Sequence, residues 1–149
     1  MRIRRYRDDD WTEWLRMSQA LFHTASDEEH TVDMARFLAR DDSAVFIAER
    51  PDGSVCGYVE AGTRAYADGC DTSPVGYIEA WYVDPDVRRH GYGRALLTAA
   101  ESWATDRGYH EMASDALIDN LTSYQAHLAN GYAEVERQVV FRKALPERK

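Results

Sequence analysis

One arrangement limits this chain more than any other: a strand, an abrupt stop, and a glycine turn that opens straight into a helix. Residues 77–83 read Tyr-Ile-Glu-Ala-Trp-Tyr-Val, a β-rich run ended by Asp84-Pro85. Arg88-Arg89-His90-Gly91-Tyr92-Gly93 follows, and then an amphipathic stretch over 91–107 with Leu96, Leu97, Ala100, Trp103 and Ala104 on its inner face. Gly108 supplies the stop. Glycines let backbone turn tightly and approach a ligand closely. The N–H groups at a helix start, at the positive end of its dipole, suit a phosphate. Arg88, Arg89 and Arg94 add charge and donors, so a pyrophosphate fits this turn.

Two other glycine-rich readings fail. An ATP-binding loop needs Gly-x-x-x-x-Gly-Lys-Ser/Thr, and no lysine lies between Met1 and Arg142. A dinucleotide fingerprint needs a third glycine where Leu96 stands, and a downstream acid for the ribose.

The remaining pattern predicts one mixed α/β domain over 1–149. A first strand is expected at 2–7, with Asp8, Asp9 and Asp10 as candidate caps of a helix whose face carries Trp11, Trp14, Leu15, Ser18, Leu21 and Phe22. Ser26 with Glu29 makes a capping box for a second helix running to about Arg40. Residues 44–50 and 54–65 form the arms of a hairpin around Pro51-Asp52-Gly53. A short strand at 110–115, a helix at 119–130 and a last strand at 132–143 complete the expectation.

Composition narrows the function. A net charge of −8 argues against nucleic acid, which needs clustered positive charge, and an acidic surface attracts cations. No run approaches the roughly 18 apolar residues of a membrane span. The N-terminal Met1-Arg2-Ile3-Arg4-Arg5-Tyr6 lacks a signal-peptide core, so a cytoplasmic setting is the simplest. Cys56 and Cys70 have no metal-ligand spacing and read as reduced thiols; no metal is expected.

Val83-Asp84-Pro85-x-x-Arg88-x-x-Gly91-x-Gly93 before a helix resembles the acetyl-CoA signature of the GNAT N-acetyltransferase superfamily. Asn120-x-x-Ser123-x-x-x-His127-x-x-x-Gly131-Tyr132 is similar to its C-terminal motif. The resemblance implies a strongly twisted mixed sheet of six to seven strands, flanked by about four helices, whose fourth and fifth strands splay. It implies acetyl-CoA as cosubstrate, its pantetheine along the backbone of Trp81, Tyr82 and Val83. The pyrophosphate would lie on amides and side chains of Arg88, Arg89, Gly91, Tyr92, Gly93 and Arg94, with Asn120 reaching in from the later helix. Where many members carry a tyrosine this chain has His127, so the leaving thiolate would take its proton from His127, from neighbouring Tyr124, or from solvent.

A narrower resemblance, to bacterial aminoglycoside 6'-N-acetyltransferases, spans nearly the whole chain. It is carried by Tyr66, the stretch Asp68 to Val75, Glu79, Glu111 to Asp115, His127, Glu134-x-Glu136-Arg137 and Phe141-Arg142-Lys143. It implies drug-facing roles for Tyr66, Glu79, Asp115 and Glu136, and a homodimer. Phe22 stands where similar members have tryptophan, which keeps an aromatic wall.

The chemistry of the residues agrees with an amine substrate. An alkyl ammonium has a pKa of about 10, so freeing its lone pair at neutral pH costs on the order of 4 kcal/mol unless a base accepts the proton. Alternation along 77–83 puts Glu79 on the face of Trp81 and Val83, near the expected thioester, with Asp115 ending the adjacent strand. Glu79, Asp115 and His127 are therefore the candidate catalytic groups, and a backbone N–H near Val83 the oxyanion donor. The competing readings are a GNAT enzyme for a polyamine or other small cationic metabolite, and a non-catalytic sensor of acyl-CoA.

Overall fold

The computed structural model describes residues 1–148 and divides into two compact units, 1–115 and 116–148. The first unit is built on five strands, β1 (Arg2–Arg5), β2 (Ala44–Glu49), β3 (Val55–Arg64), β4 (Val75–Val83) and β5 (Met112–Ser114), side by side in chain order. Every neighbouring pair is antiparallel except β4 and β5, which are parallel. A parallel pair needs a crossover. Helix α3 (Tyr92–Asp106) supplies it.

Helices α1 (Trp11–Leu21) and α2 (Asp27–Leu38) cover one face of this sheet. Trp14, Met17, Met34 and Phe37 bury themselves there against Val45, Ile47, Tyr58, Ala80 and Tyr82. On the other face α3 sinks Leu96, Leu97, Ala100 and Ala104. Local signals set the helix ends. Ser26 Oγ accepts from Glu29 N while Glu29 reaches back to Ser26 N, the reciprocal box its spacing predicts. Gly108, at φ +85°, ends α3. Asp8, Asp9 and Asp10 form an acidic turn leading into α1, and Asp10 stands at its N-cap position without bonding an α1 amide. Its carboxylate turns back to Arg4 and to Arg7 N, because a nearby guanidinium is a stronger partner than a first-turn amide.

The second unit holds α4 (Leu121–Ala129), capped by Asn120 Oδ1 accepting from Ser123 N at 3.1 Å. The strand expected at 132–143 is absent among the described residues, as is any sixth or seventh strand. A strand exists only against a partner ladder, and Val135, Val139, Val140 and Phe141 lie exposed instead. The mixed α/β class holds with a sheet of five.

Candidate active site

Strand β4 carries the site, and a bulge decides what each of its faces offers. Register runs evenly from Gly57↔Val83 to Glu60↔Ala80, then slips so that Ala61 pairs with Ile78, leaving Glu79 as the extra residue. A bulge of this kind breaks the alternation of side chains. Glu79 consequently does not share a face with Trp81 and Val83, as simple alternation predicts. Its Cγ lies 3.5 Å from where a Cβ on Gly62 would be, beside Phe37 of α2, whereas the Trp81 ring lies against Gly93 of α3.

The α3 side forms the cradle. The β5 ladder reaches β4 only at Gly76, Tyr77 and Ile78, so the β4 edge beyond Ile78 lies outside it. After β4 the chain passes through Arg89 at φ +65°, the one non-glycine residue with positive φ among the described residues, and Gly91 at φ +89°. Such backbone strain clusters at functional sites. Gly91 caps α3, whose first-turn N–H groups have no carbonyl a turn earlier to bond. Gly93 is glycine for a different reason than ligand approach: an added Cβ would sit 3.1 Å from the Trp81 ring, and Trp81 Nε1 donates to Gly93 O at 3.1 Å.

Two further contacts hold this turn. Arg88 Nε donates to Val83 O at 2.8 Å, tying the first arginine of the motif back to the strand end. Buried Asp84 accepts from Arg16 (2.9 and 3.1 Å) and from Arg50 (3.1 Å). Burial alone would raise its pKa; the two guanidiniums overcome that and hold the carboxyl below the usual range. Exposed Arg89 and first-turn Arg94 leave positive charge beside an amide-lined bend, a donor set that fits a diphosphate.

The opposite face of β4 is acidic. Arg64 forks onto Glu79, with Nη2 at 2.5 Å from Oε1 and Nε at 3.3 Å from Oε2. The same guanidinium stacks on Tyr77 at 3.5 Å from the ring centroid, and Tyr77 OH donates to Asp115 Oδ2 at 2.5 Å. Burial first, and then the Asp115 hydrogen bond, push the Tyr77 phenol up, so it stays a donor. Glu79 and Asp115 thus meet through Arg64 and Tyr77. Next to them on β3 stands Glu60, deeply set yet partly accessible, with Trp14 Nε1 donating to its Oε2 at 3.1 Å. Burial drives Glu60 up to about 7 against that hydrogen bond.

Other expected residues lie further out. Phe22, 46% exposed, follows α1, and its carbonyl accepts from His30 Nε2. Tyr66 is 71% exposed and its OH donates to Asp68 at 2.9 Å. The loop behind it is fixed by Glu111, whose Oε1 accepts from Asp71 N and Thr72 N. Cys56 is a buried free thiol that burial pushes up to about 11, and Cys70 is free as well. In the second unit, His127 Nδ1 donates to Ser123 O at 2.7 Å and its ring meets Tyr132 edge-on. Tyr124 OH donates to Glu134 at 3.0 Å, and Glu136 is exposed.

Sequence reasoning missed Glu60, Arg64, Tyr77 and Trp14. Their part in the site depends on cross-strand register and on which helix face meets β3, and neither leaves a local mark.

Residues 4–132 match the model described as the acetyltransferase (GNAT) family. The chain is 41% identical over 146 residues to an aminoglycoside N(6')-acetyltransferase type 1 of Klebsiella aerogenes, covering 96% of each chain. To the protein of the same name in Stenotrophomonas maltophilia it is 38% identical, covering 96% of this chain and 93% of that one. Among solved structures, it superposes on apo AAC(6')-IG of Acinetobacter haemolyticus with a TM-score of 0.91 at 33% identity, over 98% of this chain and 100% of that one. AAC(6')-Iy, solved with the bisubstrate analogue CoA-S-monomethyl-acetylneamine, gives 0.90 at 34% identity, over 97% and 98%. With its parallel β4–β5 pair, its glycine bend opening into α3 and this match across most of its length, the chain belongs to the GNAT acetyltransferase family.

Proposed function

We propose that this enzyme transfers the acetyl group of acetyl-CoA to the 6'-amine of aminoglycoside antibiotics, and so confers resistance to them. Acetyl-CoA supplies an activated acyl group as a thioester. The bend at Arg88, Arg89, Gly91, Tyr92, Gly93 and Arg94 holds its diphosphate, the open β4 edge at Trp81, Tyr82 and Val83 receives its pantetheine, and the Asn120 side chain adds a contact. Glu79 and Asp115 orient the amine, while Phe22, Tyr66 and Glu136 border the drug. His127 serves as donor to the departing sulphur. Cytoplasmic work as a single domain agrees with a family match that runs through both units; among the described residues, no helix is long and apolar enough to cross a membrane.

The observation that carries this reading is the acidic cluster on the α1/α2 side of the sheet: Glu79 and Asp115 joined through Arg64 and Tyr77, with Glu60 of β3 beside Glu79. A polycation suits such a face. A mere acyl-CoA sensor has no need of it. Polyamines would also suit it, but relatives at 31–41% identity share the aminoglycoside N(6') name.

Steady-state acetylation of kanamycin with detection of released thiol tests the reading. Turnover with the product acetylated at the 6' nitrogen, assigned by NMR, is expected; acetyl-CoA binding without turnover on any aminoglycoside contradicts it. The homodimer belongs to the same reading. Val135, Val139, Val140, Phe141 and Leu145 are 64–89% exposed, which supports burial against a second copy. Sedimentation at micromolar concentration should give twice the 17.0 kDa chain mass.

A further inference from the structure

Among the carboxylates on the α1/α2 face of β4, two are already engaged. Glu79 is held by a forked ion pair to Arg64, and Asp115 accepts the short hydrogen bond of Tyr77. Glu60 differs from both. It faces Ala80 across the β3–β4 ladder, the last regular pair before the bulge, which brings it beside Glu79. Its one hydrogen bond among the described residues comes from the indole of Trp14, a neutral donor, onto Oε2. No cation pairs with it there: Arg64, the nearest arginine along its own strand, is committed to Glu79 and to the Tyr77 ring.

We infer that Glu60 is the proton acceptor for the incoming amine, with Trp14 holding its carboxylate in place and Glu79 acting as the counter-ion that draws the ammonium in. The inference rests on the acetyltransferase reading given above. The substrate ammonium gives one proton to the Glu60 carboxylate and becomes a neutral amine. Its nitrogen forms the N–C bond to the thioester carbonyl. As the C–S bond breaks, the second N–H proton passes from the nitrogen to the departing sulphur through solvent, and coenzyme A leaves as the thiol. Glu60 then returns its proton to water, so each turnover releases one proton.

The surroundings of Glu60 suit this work. The groups facing it are Glu79 from β4, Asp33 from α2, Trp14 from α1, apolar Val45 from β2 and, on its own strand, the buried Tyr58 phenol, which stays protonated. Two neighbouring negative charges and an apolar strand disfavour its ionised form, and burial does so most, raising it from the ordinary 4.5 to about 7. A base is most effective when its proton affinity lies near the working pH. Relative to an ordinary glutamate, this rise makes proton transfer from an ammonium about 300-fold less unfavourable.

The test is the pH profile of kanamycin acetylation by the full-length protein and by Glu60→Gln. For the wild type, kcat should fall on the acid side with a midpoint near 7. Glu60→Gln should lose about a hundredfold in kcat, lose that acid limb, and keep its KM for kanamycin and its calorimetric affinity for acetyl-CoA within about twofold. Unchanged kcat and acid limb, or a raised KM alone, overturns the assignment. Should Glu60→Gln fail to bind acetyl-CoA, Trp14→Phe decides: losing a donor to the carboxylate should move the acid limb to higher pH. An unmoved limb then overturns the assignment. A wild type that acetylates no aminoglycoside overturns the underlying reading and this inference with it, whereas wild-type turnover with an indifferent Glu60→Gln overturns this inference alone.

Discussion

The two faces of β4 form an instructive contrast. Toward α3 the strand presents packing and backbone: Trp81 lies on Gly93 and bonds its carbonyl, and the strand end hands over to a bend that opens into the first turn of α3. Toward α1 and α2 it presents titratable side chains linked by Arg64 and Tyr77. A single strand serves both purposes because one inserted residue, Glu79, breaks the alternation between them. Toward α3 close packing leaves little room for side chains to rearrange, whereas toward α1 and α2 the Arg64 ion pair is one that the cation of the proposed reaction would displace.

The contrast can be broken most sharply at Glu60, on the side of α1 and α2. Glu60 is raised from 4.5 in the unfolded chain to about 7 in the fold, so its ionisation is disfavoured by folding, and stability is lost as pH rises through that window. Glu60→Gln should remove the loss, gaining about 3 kcal/mol over the wild type at pH 8 and nothing at pH 4, as paired thermal melts would show. At Asp84, the buried anchor at the end of β4, the sign reverses. Asp84→Asn leaves Arg16 and Arg50 with only Glu13 and Asp86 and should cost about 2 kcal/mol of stability, measured by denaturant unfolding. Glu79→Gln should lower kcat/KM for kanamycin about tenfold while sparing acetyl-CoA affinity, since a charge-assisted contact to an ammonium is worth about 1.5 kcal/mol or more; a loss of acetyl-CoA affinity instead contradicts the division between faces. The smallest effect belongs to Gly91→Ala. A left-handed φ costs an alanine about 1 kcal/mol, which should appear both in stability and in a severalfold weaker acetyl-CoA complex.

What could be read from the sequence follows the reach of each signal. The capping box of Ser26 and Glu29, the Gly108 stop and the inner face of α3 are local, and all stand as expected. The Gly91 turn was legible for the same reason, as a positive-φ position between a proline stop and an apolar helix. The role of Gly93 was not, because it depends on Trp81 arriving from the neighbouring strand. Alternation misplaced Glu79, since a bulge is a property of paired strands and not of one strand's residues. The segment 132–143 has strand-like composition but no ladder among the described residues; composition offers a strand and only a partner makes one. Glu60 went unnoticed because a glutamate in a strand reads as solvent-facing, whereas its depth comes from Trp14 covering it across a separation of 46 residues.

The central claim is that the bend ahead of α3 grips an acyl-CoA diphosphate beside the acidic face of β4. Isothermal calorimetry of acetyl-CoA against the purified chain tests it directly. Saturable uptake of one molecule per chain is expected, weakened by added salt because the arginine charge contributes to the holding. Absence of binding heat at any accessible concentration, across several temperatures, would contradict it.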